Sequence, residues 1–190
     1  MRSLIILLTL FVYSCSGDDK QTQKEQVSTY DTSTLYYDIP LAIKNEMAEI
    51  KRTFAYTYKI TIENNTRDST EIDSTTLLQL AAPFLELDLN DRNRRKYYKE
   101  DIFEDGDTKS IVLNYTTNNP ELPAKSVSVM LNNETQQLKR IDILKAYVSN
   151  DTTYEERLAW VANKNFQIIR LASSKGNELT KQVYVYWQQR

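Results

Sequence analysis

The sequence predicts an α+β fold, in which a curved antiparallel β-sheet of about six to eight strands carries two helices on one face. Apolar residues recur at helical spacing in two early segments, and alternate with polar residues through most of the second half. Short polar turns separate the alternating segments, so neighbouring strands should be antiparallel, because parallel crossovers need a dozen or more residues. A small closed β-barrel is the alternative arrangement of these strands.

The first predicted element is a helix over about residues 39–52. Asp38 precedes it as a suitable N-cap, and Pro40 is tolerated in the first turn. Its apolar stripe consists of Ile39, Ile43, Met47 and Ile50. A second helix is expected from Ser74, which can act as its cap, and Pro83 should kink or end that helix.

The strands are predicted from alternation with a period of two. One strand is expected over residues 54–63, with a short return strand over residues 69–72. From Ser110 onward almost every segment reads as a strand, with segments over residues 110–115, 127–131, 138–148, 154–162, 166–171 and 179–187. Residues 35–190 should therefore form a single α+β domain.

The first residues of the chain resemble the signal of a bacterial lipoprotein. Arg2 precedes an apolar run over residues 4–12, which is much shorter than the roughly 20 residues of a membrane-spanning helix. The sequence Val-Tyr-Ser-Cys that ends at Cys15 resembles a lipobox. This resemblance implies that residues 1–14 are a signal peptide and that Cys15, the only cysteine, carries the lipid.

The residues after Cys15 extend this resemblance. Ser16, Gly17, Asp18 and Asp19 form an acidic stretch similar to the export signal of Bacteroidota surface lipoproteins. Residues 15–34 are polar and are expected to form a lipidated, flexible tether. With the predicted order of helix, hairpin, helix and antiparallel strands, the chain resembles uncharacterised Bacteroidota outer-membrane lipoproteins. This implies a lipid-anchored protein of the outer membrane in the cell envelope, facing either the periplasm or the cell surface.

Composition excludes several kinds of chemistry. The chain has no histidine, one cysteine and three glycines, so it lacks Ser-His-Asp triads, histidine-based zinc sites and glycine-rich phosphate loops. Glu155 and Glu156 are adjacent on a predicted strand and should point to opposite faces, so they cannot flank one glycosidic bond. We therefore expect no catalytic residues, no metal and no cofactor.

Two groups of residues are candidates for binding. Arg94, Arg95, Tyr97 and Tyr98 combine positive charge with aromatic rings, but an acidic run follows and balances them, so a solvated loop is expected. Nucleic acid is not an expected partner, since the sequence pI is near 5.4. If Val183 faces the core, Tyr184 and Tyr186 should face outward on the last strand, where they could stack on sugar rings.

These observations favour a non-catalytic binding module on an outer-membrane anchor. The first hypothesis is an apolar or lipid-like ligand in a cavity between the sheet and the helices. The alternative is an interaction or structural module that binds an envelope protein or a glycan through a tyrosine-rich sheet face. A carboxylate-based hydrolase is the third hypothesis.

Overall fold

The computed structural model describes residues 35–53 and 56–188 of the chain. The predicted signal peptide, Cys15 and the export residues lie outside this part, and their assignment stays a prediction. The helices are α1 (Ile39–Arg52) and α2 (Ser74–Leu85). The strands are β1 (Tyr56–Glu63), β2 (Thr66–Glu71), β3 (Lys99–Asp105), β4 (Ser110–Thr116), β5 (Ala124–Asn132), β6 (Leu138–Ser149), β7 (Thr152–Val161), β8 (Asn165–Ser174) and β9 (Asn177–Gln188).

All nine strands belong to one antiparallel sheet with the order β2-β1-β9-β8-β7-β6-β5-β4-β3. Strands β2 and β3 are its two edges, so the sheet is open and the alternative of a closed barrel is not formed. The predicted α+β class with a curved antiparallel sheet is confirmed, but the sheet has one strand more than the expected six to eight. The pairing of β1 with β9 joins the early hairpin to the last strand of the chain.

The strand that was not predicted is the edge strand β3. Five of its seven residues are charged, and the acidic run hides the alternation that identifies the other strands. Charged side chains are typical of edge strands, because they keep the unpaired edge from joining another sheet. The stretch that reads as a solvated acidic loop is therefore a β-strand.

Helix α1 has the predicted bounds and the predicted cap. The backbone N–H of Leu41 donates to Asp38 Oδ1 at 2.9 Å, and Pro40 lies in the first turn. The helix buries one side, formed by Ile39, Ile43 and Ile50. None of the helices in the described ranges combines the length and the apolar character that a membrane crossing requires.

Helix α2 begins one residue earlier than predicted, because Asp73 and not Ser74 is its cap. The backbone N–H of Thr76 donates to Asp73 Oδ1 at 2.8 Å. Pro83 lies in the last turn, and the helix ends two residues later. The ammonium group of Lys145 donates to the carbonyl oxygen of Pro83 at 2.9 Å, which satisfies one of the free carbonyls at this helix end.

The pairing register assigns each strand residue to one of two faces, since side chains alternate along a strand and paired residues share a face. We call them the helix-packed face and the open face. The core lies between the helices and the helix-packed face. It includes Ile39, Ile43, Ile50, Leu77, Ala81 and Phe84 from the helices and Tyr115, Val127, Val129, Ile141, Ile143, Leu158, Trp160, Phe166, Val185 and Trp187 from the strands.

The space between the helices and the sheet, where a ligand cavity was expected, is occupied by core side chains. The ring of Phe84 lies with its centroid 5.4 Å from that of Trp160 and 5.6 Å from that of Phe166, in edge-to-face geometry. These three side chains are 0% exposed, as are Ile39 and Ile43. The helices are therefore held to the sheet by direct packing.

Strand β1 places its apolar residues on the open face. Its pairing with β9 puts Thr57 opposite Trp187 and Lys59 opposite Val185, on the helix-packed face. Tyr58, Ile60 and Ile62 consequently lie on the side that the helices do not cover. The alternation predicts this strand correctly, but its apolar side is not the side that the helices bury.

Candidate ligand-binding site

A groove with a volume of about 760 Å³ lies on the open face of the sheet. Its lining comes from the six consecutive strands β3 to β8, so the groove extends across most of the sheet. Sites for small molecules usually have volumes of about 300–1,000 Å³. The groove is therefore large enough for a ligand, and it lies on the opposite side of the sheet from the expected cavity.

Two parallel rows of directly paired residues form the floor of the groove. The first row runs across the strands through Asp101, Asn114, Ser128, Asp142, Ala159 and Gln167. The second row runs through Lys99, Thr116, Ser126, Leu144, Arg157 and Ile169. Hydroxyl or amide groups lie among charged and apolar side chains in both rows, so the floor offers both hydrogen-bond donors and acceptors.

Two arginines of the groove are held by carboxylates on their own strands. The guanidinium of Arg140 donates to both carboxylate oxygens of Asp142, from Nε at 2.6 Å and from Nη2 at 2.7 Å, and these hydrogen bonds raise the pKa of Arg140. Arg157 Nε donates to Glu155 Oε1 at 2.8 Å. Such charge-assisted bonds fix the orientation of the guanidinium groups.

The charges of the groove balance one another. The lining of the groove contains three cations and three anions. The cations are Lys99, Arg140 and Arg157, and the anions are Asp101, Asp142 and Glu155. A ligand with a net charge would gain attraction from one set and lose it to the other. The arrangement favours a neutral ligand with many polar groups.

A cluster of tyrosines continues the groove across β9 and β1. Tyr184 is paired with the groove residue Gln167, and Tyr186 is paired with Asn165 on one side and with Tyr58 on the other. The ring centroids of Tyr58 and Tyr186 are 5.4 Å apart in stacked geometry, and those of Tyr184 and Tyr186 are 5.8 Å apart. We call Tyr58, Tyr184 and Tyr186 the tyrosine row.

The outward orientation predicted for Tyr184 and Tyr186 is confirmed. Val185, which lies between them in sequence, is 0% exposed in the core, and both tyrosines are half-buried on the open face. They also lie beside Tyr58 of the neighbouring strand. Their role in binding stays a prediction.

The four basic and aromatic residues of the other predicted site do not form one surface. Tyr98 is only 7% exposed, and its hydroxyl donates to the carbonyl oxygen of Ala124 at 2.8 Å, so it belongs to the core. The guanidinium carbon of Arg95 lies 5.0 Å from the ring centroid of Tyr36, and Tyr97 is exposed.

Arg94 precedes the short 3₁₀ helix that leads to β3. Five strands separate β3 from β9, so the sheet does not place these residues beside the tyrosine row.

The adjacent glutamates point to opposite faces, as predicted. Glu155 lies in the groove, whereas Glu156 is 4% exposed on the helix-packed side. Glu156 Oε1 accepts hydrogen bonds from Arg170 Nε at 2.5 Å and from the Tyr147 hydroxyl at 3.0 Å. Lys145 of β6 is paired with Glu156 of β7, and burial lowers the pKa of Lys145. Together, the side chains of Lys145, Tyr147, Glu156 and Arg170 join β6, β7 and β8 beside the end of α2.

The sequence does not reveal the groove, because its lining comes from six strands and consists of ordinary polar and apolar residues. The only local signal is the alternation that places Asn114, Ser128 and Asp142 outward on their strands. The chain matches no protein-family model, no curated protein and no solved structure.

Proposed function

We propose that this protein is an outer-membrane lipoprotein whose folded domain is a non-catalytic binding module, and that the groove on the open face holds its ligand. The anchor is supported by the lipobox-like sequence that ends at Cys15 and by the acidic stretch after it. One acyl chain binds a bilayer only marginally, and bacterial lipoproteins carry two or three, which makes the attachment stable.

The groove is the observation that carries the binding role. Its volume suits a small ligand. Its lining supplies hydrogen-bond donors and acceptors with fixed orientation, among side chains that are small or apolar. Core side chains fill the space under the helices, which argues against an apolar ligand there. The hypothesis that a ligand binds the tyrosine-rich open face is therefore better supported.

Two of the three carboxylates of the groove support a role in binding over a role in hydrolysis. Asp142 and Glu155 each already accept hydrogen bonds from an arginine. A glycosidase needs one carboxyl group free to donate its proton and a second that acts on the other side of the sugar. Carboxylates held by guanidinium groups are suited to accepting hydrogen bonds from a ligand.

The anchor is tested by metabolic labelling with radioactive palmitate in a diderm bacterium that expresses the full chain. We expect label and a processed N-terminus in the wild-type protein, and neither in Cys15→Ser. Label retained by Cys15→Ser, or an unprocessed N-terminus in the wild-type protein, would overturn the anchor.

The groove is tested by thermal-shift screening of the full-length protein in detergent. The probes are neutral saccharides, amino acids, short peptides, nucleosides and fatty acids. Ser128→Trp fills the floor of the groove, and Ser173→Trp adds the same ring at an exposed position outside the residues that line it.

We expect a probe that stabilises the wild-type protein and Ser173→Trp but not Ser128→Trp. Equal stabilisation of both variants, or no stabilisation by any probe, would contradict the proposed role of the groove.

A further inference from the structure

We infer that the ligand of the open face is a neutral, linear oligosaccharide that lies across the strands, from the groove onto the tyrosine row. This inference rests on the proposed function and names the class of its ligand. Three observations carry it: the charge balance of the groove, the position of the tyrosines, and the length of the combined surface.

The hydrogen-bonding groups of the groove match the chemistry of sugar hydroxyls. Each sugar hydroxyl donates one hydrogen bond and accepts others, so it can bind a carboxylate, an amide and a guanidinium side by side. Asp142 and Arg140 offer such an acceptor and donor in one fixed pair, and Gln167 adds an amide that offers both. The equal numbers of cations and anions favour an uncharged chain over an acidic one.

The tyrosine row supplies the aromatic surface that sugar rings pack against. Its three side chains are half-buried, so each ring is fixed by its neighbours and still reaches solvent. An apolar ring face with a polar hydroxyl at its tip suits a ligand with both C–H faces and hydroxyl groups. Because Tyr184 is directly paired with Gln167, a chain that leaves the groove at β8 meets this surface next.

The surface is long enough for several sugar units. With neighbouring strands about 4.8 Å apart, the groove from β3 to β8 spans about 24 Å, and its extension to β1 spans about 34 Å. One pyranose unit of an extended chain covers about one strand interval. The groove alone therefore accommodates about five units, and the tyrosine row adds about two more.

A length series of oligosaccharides tests this inference. The probes are neutral gluco-, manno- and N-acetylglucosamine oligosaccharides, from the disaccharide to the octasaccharide, titrated by calorimetry against the full-length protein in detergent. We expect the affinity for one of these series to rise with chain length and to rise again where the chain passes from the groove to the tyrosine row.

The variant Tyr184→Ala should weaken binding of the longest chains about tenfold, while binding of short chains stays unchanged. Tyr154→Ala is the matched control, because Tyr154 also stacks on a tyrosine of the neighbouring strand, Tyr147, but on the helix-packed side of the sheet. Circular dichroism spectra identical to the wild-type spectrum show that both variants are folded.

The outcomes separate this inference from the proposed function. Affinity that does not depend on chain length, or an equal effect of Tyr184→Ala and Tyr154→Ala, would overturn the extended oligosaccharide site. If no oligosaccharide binds while another probe binds in a manner sensitive to Ser128→Trp, the ligand class is wrong and the groove keeps its proposed role. If neither panel yields a ligand, both proposals fail.

Discussion

Replacing Phe84 with alanine should remove the aromatic contacts between α2 and the sheet. The side chain is 0% exposed, and its ring makes edge-to-face contacts with Trp160 and Phe166 at 5.4 and 5.6 Å. Truncating a buried phenylalanine costs about 3–5 kcal/mol, of which each aromatic contact supplies about 0.5–1.5 kcal/mol. Full burial and two aromatic contacts place Phe84→Ala near 4 kcal/mol, which is a large part of the roughly 5–15 kcal/mol typical of a domain.

Urea unfolding of the full-length chain, followed by circular dichroism and tryptophan fluorescence, measures this loss. Leu78→Ala on the same helix is the control, since Leu78 is 52% exposed and should cost less than about 1 kcal/mol. The midpoint should fall for Phe84→Ala with little change in the denaturant slope. If Phe84→Ala destabilises the protein no more than Leu78→Ala, the helices do not pack on the sheet as described, and the space beneath them becomes available for an apolar ligand.

Three further changes test other parts of the fold by the same unfolding measurement. Asp38→Ala should lower the free energy of unfolding by about 1 kcal/mol, because the N–H of Leu41 loses its acceptor, while Asp38→Ser should retain most of the stability. Glu156→Ala should cost about 1–3 kcal/mol, because it removes a buried carboxylate that accepts hydrogen bonds from Arg170 and Tyr147. Glu155→Ala should cost less than about 1 kcal/mol, since its ion pair with Arg157 is exposed, and equal costs would contradict the assignment of faces. Burial raises the pKa of Tyr115 well above 10.0, so above about pH 10 the folded state keeps a proton that the unfolded state loses. The free energy of unfolding should therefore fall above about pH 10, and this group should contribute up to about 1.4 kcal/mol per pH unit to that fall. Tyr115→Phe should make that fall shallower, and an unchanged slope would contradict the role of Tyr115.

The elements that the sequence predicts well are those with complete local signals. Helix α1 has a cap, a proline in its first turn and an apolar stripe, and its bounds agree with the prediction. Strand β9 alternates Val183, Val185 and Trp187 with two tyrosines, so one buried valine is enough to assign both of its faces. In both cases the residues that determine the structure are neighbours in the sequence.

The elements that were missed depend on partners that are distant in the sequence. The charges of β3 are tolerated because it is an edge, and only its pairing with β4 identifies it as a strand. Tyr98 lies beside a basic segment and looks exposed in the sequence, yet its hydroxyl bonds to Ala124 in the core. The apolar side of β1 faces away from the helices because the register with β9 places Thr57 opposite Trp187.

The groove shows why a binding surface on a sheet is hard to detect in one sequence. Small residues at the centre of the first row, Asn114, Ser128 and Ala159, leave room above the sheet, while Arg140 and Arg157 extend along their strands to bind carboxylates. Each strand contributes only two to four of the residues that line the groove, so their alignment depends on the register of every hairpin between β3 and β8. A shift of one residue in any of these pairings would turn that strand's polar residues toward the helices and its core residues toward solvent. The packing of the core therefore also fixes the alignment of the groove, and variants that loosen the core on one face should weaken ligand binding on the other.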